Sequence, residues 1–84
     1  MGKLQLGTDE NYVFHTLGKK GGPISCAELR KDLQTHGKSD SQAMIILNEL
    51  AFRHKPKLAS FSGDPVVIEL TKEGKEIYAS LKRT

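Results

Sequence analysis

The sequence predicts a single α+β domain in which three helical segments precede a β-hairpin and a final helix. Residues 57–61 and 66–70 form two short apolar runs around a Ser-Gly-Asp-Pro turn, which is the pattern of a hairpin. Thr71 follows the second run at once and begins a helical pattern over about residues 72–83. Upstream, helix-capping signals stand before apolar residues at helical spacing. These three observations together predict the α+β class.

The length and composition are those of one folded unit. A chain of 84 residues can bury one modest core, so we expect one domain over residues 1–84, with its core at about 8–70. Shares of 37% hydrophobic and 27% charged residues exclude a disordered chain. No apolar run approaches the roughly 20 residues of a membrane span. The single cysteine excludes an internal disulfide, which favours an intracellular protein of the cytoplasm, nucleus or nucleoid.

The first helix is expected to begin at a cap provided by Thr8. Asp9 and Glu10 follow in its first turn, where carboxylates face the positive end of the helix dipole. Gly18 is the expected C-terminal stop. The apolar stripe between them consists of Val13, Phe14 and Leu17.

The second helix carries the signature of a capping box. The Ser25 hydroxyl and the Glu28 carboxylate stand three residues apart, so each can accept a hydrogen bond from the other's backbone amide. Ile24, directly before them, is expected to form a single β-bridge to the hairpin. The helix should stop near residues 36–37, after an inward pair formed by Leu29 and Leu33.

The third helix has a second capping box, formed by Ser39 and Gln42. It should run to about Phe52 or His54, because Pro56 disfavours helical backbone at the residue before it. Its core face repeats at helical spacing and consists of Ala43, Ile46, Leu47 and Leu50.

The fourth helix is expected to be capped by Thr71 and to turn Ile77, Tyr78 and Leu81 inward. This stripe can complete the core of a monomer, or it can pair with the same stripe of a second copy in a homodimer. The sequence leaves both arrangements open.

The element order and two motifs resemble the winged helix-turn-helix family. Residues 22–29, Gly-Pro-Ile-Ser-Cys-Ala-Glu-Leu, are similar to the segment by which that family enters its second helix. Residues 67–74, Val-Ile-Glu-Leu-Thr-Lys-Glu-Gly, are similar to the passage that leaves its wing. The resemblance implies a three-helix core, a two-stranded wing and, in this chain, an additional C-terminal helix.

The same resemblance implies a protein that regulates transcription or another DNA transaction. In this family the third helix lies in the major groove of duplex DNA and the wing lies beside it. The corresponding contacts at the third helix would come from Lys38, Ser39, Ser41, Gln42 and Asn48.

The stem of the hairpin is basic. Residues 50–63 contain Arg53, Lys55 and Lys57 and no acid, and His54 is expected to join the same basic patch. Phosphate groups favour such a surface, and the net charge of +3 is compatible with an anionic partner.

A second function competes with DNA binding. The outward face of the third helix carries the apolar residues Ile45 and Phe52 together with the acidic Glu49, and the turn of the wing carries Asp64. Such a face is typical of a protein interface or of a contact buried under the C-terminal helix. The alternative is therefore a protein-interaction module that docks through Ile45 and Phe52.

The sequence shows no pattern of an enzyme. The three histidines stand on separate elements without the spacing of a metal site, and no base accompanies Cys26. We therefore expect no catalytic residue, metal, cofactor or small-molecule substrate.

Overall fold

The structure is a computed structural model that describes residues 6–83, with the side chains of the last helix described as far as Leu81. The remaining ends of the predicted domain, residues 1–5 and 84, lie outside the described residues. The elements follow in the order α1 (Thr8–Lys20), β1 (Ile24–Ser25), α2 (Cys26–Thr35), α3 (Asp40–Phe52), β2 (Ala59–Ser62), β3 (Val67–Leu70) and α4 (Lys72–Arg83). The α+β class is confirmed.

The three strands form an open antiparallel sheet in the order β1-β3-β2. Ile68, in the central strand, pairs with Ile24 on one side and with Phe61 on the other, and it is completely buried. The sequence predicts a single bridge at Ile24, but the strand there has two residues, because Ser25 also pairs with Val67. This arrangement of helices and strands, with β2 and β3 as the hairpin, is compatible with a small winged-helix-like fold.

The core lies where α1, α2, α3 and the sheet meet. The predicted inward face of α3 is confirmed, since all four of its residues are buried. Phe14 and Leu17 of α1 and Leu29 and Leu33 of α2 pack into the same cluster. Among the described residues, none of the helices combines the length and apolar character that a bilayer crossing requires.

The predicted ends of α1 were both wrong. The N-cap is Gly7, whose amide donates to Glu10 Oε1 at 3.1 Å, so Thr8 is already the first helical residue. The helix also continues through Gly18 to Lys20 and ends at Gly21, which has φ +72°. Gly18 has a packing role instead, because a Cβ there would lie 2.4 Å from the Tyr78 ring.

One of the two predicted capping boxes forms. The Gln42 amide donates to Ser39 Oγ at 3.1 Å, and the Ser39 amide donates to Gln42 Oε1 at 2.9 Å. The box predicted at Ser25 is absent, since its side chain makes no capping hydrogen bond. Ser25 belongs to β1, and the next amide, of Cys26, donates to the Val66 carbonyl. Sheet pairing therefore replaces the capping box at the start of α2.

The cap of α4 is confirmed, because Thr71 Oγ1 accepts a hydrogen bond from the Gly74 amide at 3.0 Å. Ile77 and Tyr78 pack against the core as expected. The prediction for Leu81 was wrong, since this residue is 44% exposed. Within the described part of α4, Ile77 and Tyr78 pack on the core, and Leu81 lies beyond them in the last turn.

Candidate nucleic-acid interface

The outward face of α3 is the first part of the candidate interface. Ser41 and Asn48 are exposed, and neither side chain makes a hydrogen bond within the described residues. Ile45 and Phe52 lie on the same face and are 56% and 60% exposed. Polar and apolar groups therefore alternate along a helix face that is open to a partner.

The residues at the N-terminus of α3 are held by intramolecular contacts. Ser39 and Gln42 are occupied by the capping box. Lys38 Nζ lies 3.1 Å from Asp9 Oδ2, an ion pair between the residue before α3 and the first turn of α1. A bound phosphate would have to compete with Asp9 for Lys38, whereas Ser39 and Gln42 are needed to hold the helix end in shape.

The exposed ring of Phe52 packs on the hairpin. Its centroid lies 5.8 Å from that of Phe61 in β2, with a tilt of 40° between the rings. Lys57 Nζ lies 5.2 Å from the Phe52 centroid, within the range of a cation–π contact. This contact joins the end of α3 to the stem of the wing, so the apolar and basic candidates meet in one place.

Two members of the predicted basic stem are bound to a buried carboxylate. Glu10 is only 4% exposed, and its Oε1 accepts a hydrogen bond from the Arg53 guanidinium. His54 Nε2 lies 3.1 Å from Glu10 Oε2, and the His54 side chain is 10% exposed. The expectation that His54 joins an exposed basic patch was therefore wrong, and Arg53 is partly neutralised by Glu10.

The pKa of Glu10 reflects this environment. Burial acts to raise the pKa of the carboxyl group, because a charge in the interior loses its hydration. The hydrogen bonds from the Gly7 amide, His54 and Arg53 outweigh burial, and the pKa lies below its usual value. Glu10 is therefore an ionised acceptor that ties the start of α1 to the end of α3.

The exposed cations of the stem are Lys55, Lys57 and Arg53, whose side chain remains 47% exposed although it binds Glu10. Lys55 and Lys57 form no ion pair within the described residues, so a phosphate can reach them without competing with a carboxylate, as it must at Lys38 and Arg53. The candidate interface therefore consists of an open helix face and a basic stem in which Arg53 is shared with Glu10.

The remaining reactive side chain, Cys26, is buried, and burial raises the pKa of its thiol, against a smaller lowering by Arg30. In the described part of the chain, no group of three or more His, Cys, Asp or Glu side chains could hold a metal ion.

Comparison with family models, with curated proteins and with solved structures finds no match to this chain.

The contacts of Glu10 with Arg53 and His54 are not predictable from the sequence pattern. Glu10 has the position of an ordinary first-turn carboxylate, and 43 residues separate it from Arg53. Local spacing carries no signal of that contact. Arg53 and His54 follow the end of α3 beside two lysines, so the sequence predicts an exposed basic patch there and not a bond to a buried carboxylate.

Proposed function

We propose that this chain is a winged-helix DNA-binding domain that contacts duplex DNA through α3 and the stem of the hairpin. The observation that carries the proposal is the continuity of this surface. The open face of α3 leads through Phe52 to the exposed lysines of the stem, Lys55 and Lys57. The helix order and the β1-β3-β2 sheet are compatible with that class.

In the proposed complex α3 lies in the major groove. The Asn48 amide is suited to pair with the edge of an adenine, and Ser41 can reach a base or a phosphate. Lys38, Lys55 and Lys57 neutralise phosphates and supply most of the affinity. Ser39 and Gln42 support the helix end, whose free amides favour a phosphate nearby. The proposal assigns no catalytic chemistry to the chain.

A titration with short duplex DNA, followed by amide NMR shifts at low and moderate salt, tests this function. We expect shifts clustered in residues 38–57 and an affinity that falls steeply with salt. Three phosphate contacts correspond to a slope of log K against log salt of about −3, at roughly −0.9 per contact. If residues 38–57 remain unshifted at low salt, the DNA-binding proposal is wrong.

A matched pair of double variants separates a specific surface from overall charge. Lys55→Met with Lys57→Met removes two cations from the stem, whereas Lys19→Met with Lys20→Met removes two exposed cations at the end of α1. The stem variant should reduce the salt slope by about 2, and the α1 variant should leave it almost unchanged. An equal decrease of the salt slope in both variants would show that DNA is attracted by the overall charge, and would contradict the proposed surface.

A protein-interaction module remains the second candidate, favoured by the exposure of Ile45 and Phe52 on one helix face. The partner on this reading is another protein or a second copy of the chain. Ile45→Asp should abolish such a complex while the amide spectrum of the fold stays intact. Sedimentation of the wild type and the variant over a range of concentrations tests the homodimer directly. A concentration-independent monomer would exclude self-association through this face.

A further inference from the structure

A cavity of about 210 Å³ lies on a part of the molecule that the proposed interface does not use. It is bounded by the end of α1, the turn before β1, the end of β3 and α4. Leu17 and Leu70, both buried in the core, form its apolar floor. None of its described lining residues belongs to α3 or to the hairpin stem, so the inference drawn from it is independent of DNA binding.

One wall of the cavity is bare backbone. Gly18, Gly21 and Gly22 line it, and a Cβ at Gly22 would meet no atom within 4 Å. Gly21 has the left-handed conformation that ends α1, which explains a glycine at this position. The absence of side chains at Gly21 and Gly22 therefore leaves open space at this wall, and the absence of one at Gly18 admits the Tyr78 ring.

Two hydrogen-bond donors complete the lining. Lys75 and Tyr78 stand on the same side of α4, three residues apart, and Tyr78 packs its ring over Gly18. Neither the Lys75 ammonium nor the Tyr78 hydroxyl makes a hydrogen bond or ion pair within the described residues. Lys75 is the one charged residue in the described lining. An apolar cavity with a few polar groups is the usual form of a small-molecule site.

We propose that this cavity binds a small aromatic carboxylate. An engineered protein cavity of about 150 Å³ holds benzene, so about 210 Å³ has room for one ring and a carboxylate. The ring would lie on Leu17 and Leu70, and the carboxylate would accept hydrogen bonds from Lys75 and Tyr78. Such a ligand would add a contact between α4 and the end of α1, beside the packing of Tyr78 over Gly18.

Benzoate is the probe, and uncharged benzamide is its control. In an amide NMR titration at constant ionic strength, we expect benzoate to shift Gly18, Gly21, Gly22 and Lys75 with a dissociation constant on the order of 1 mM, as befits so small a ligand. Benzamide should bind at least about tenfold more weakly, because it lacks the charge. Equal binding of the two, or no saturable shift at these residues, would overturn the proposal.

Lys75→Met keeps the length of the side chain and removes its charge, and Lys72→Met does the same one turn earlier at a residue that does not line the cavity. The first variant should weaken benzoate binding about tenfold and the second should not change it. Equal weakening by both would show that benzoate is attracted by the surface charge of α4, and would overturn the proposed site.

Tyr78→Phe, which keeps the ring over Gly18, is a second test of the site in case Lys75→Met perturbs the fold. It should weaken benzoate binding several-fold, and unchanged binding would contradict the assigned contact.

Discussion

Glu10 connects two distant parts of the chain through a single carboxylate. It lies in the first turn of α1, accepts a hydrogen bond from the Gly7 amide and binds Arg53 and His54 at the end of α3. A buried carboxylate is tolerated only when such donors replace its lost hydration. The cluster therefore holds α1 and the wing stem in one arrangement, and removing the charge should be costly.

We predict that Glu10→Gln lowers the free energy of unfolding by roughly 1–3 kcal/mol at neutral pH, because charge-assisted hydrogen bonds become neutral ones and buried donors lose an acceptor. Urea unfolding of the wild type and the variant measures the difference. Glu76→Gln, at an exposed position of α4, is the control and should change the stability very little. An equal effect of both variants would contradict the importance of the cluster.

The pH dependence of stability should carry the same signature. Folding lowers the pKa of Glu10, so the ionised carboxylate contributes to the free energy of unfolding. This contribution is complete above the unfolded-state pKa of about 4.3 and is lost as the pH falls through the lower folded-state pKa. Wild-type stability should therefore decline on acidification in that window, and Glu10→Gln should decline less. If the stability of the two proteins falls in parallel with pH, groups other than Glu10 cause the loss of stability in acid.

At the scale of the element, two serines with similar sequence surroundings behave differently. Ser39 caps α3 with its side chain, whereas Ser25 pairs in β1 and caps nothing. We predict that Ser39→Ala lowers the free energy of unfolding by about 0.5–2 kcal/mol, the usual cost of losing a side-chain cap. Ser25→Ala should cost less. Thermal unfolding of the two variants makes the comparison, and a larger loss at Ser25 would contradict the assigned caps.

The fourth helix depends on a close backbone contact. A Cβ at Gly74 would lie 2.1 Å from the Leu58 carbonyl oxygen, and backbone cannot move aside as a side chain can. Gly74→Ala should therefore destabilise the protein by about 1–3 kcal/mol, although alanine has the higher helix propensity. Gly22→Ala, where a Cβ meets open space, is the matched control for the same change. Chemical unfolding of both variants tests this, and a stabilised Gly74→Ala protein would contradict the observed packing.

At the scale of the whole molecule, α4 is part of the same core as the three helices before it. Thr71 binds the chain before β2 through its amide to Leu58, and Ile77 and Tyr78 cover the core cluster. A domain of this size has a small free energy of unfolding, because it buries only one modest core. Each of its elements therefore contributes to a single cooperative unit.

We predict that deletion of residues 72–84 abolishes cooperative unfolding, because the core loses the cover of Ile77 and Tyr78. Circular dichroism during urea titration measures the loss, and deletion of residues 82–84 alone is the control that should retain a sharp transition. A cooperative transition in the shorter chain would show that the first three helices and the hairpin fold without α4.

The sequence by itself determined the class, the order of the elements and the inward face of α3. Apolar spacing and the Ser39 cap are local signals, and the local backbone follows them. The predicted hairpin also forms, but its turn lies at residues 63–66 and not at 62–65, because Ser62 pairs with Val67 in the sheet. The outward placement of Ile45 and Phe52 follows from the same helical period, and their exposure is confirmed.

Only the tertiary structure decided how distant residues meet. The Glu10 cluster, the pairing of Ser25 in the sheet, the Tyr78 ring over Gly18 and the cavity beside it all join residues far apart in the chain. Such contacts depend on how the helices pack against one another, which the spacing within any one segment does not specify. For this reason Arg53 and His54, which look like surface in the sequence, bind a buried charge in the fold.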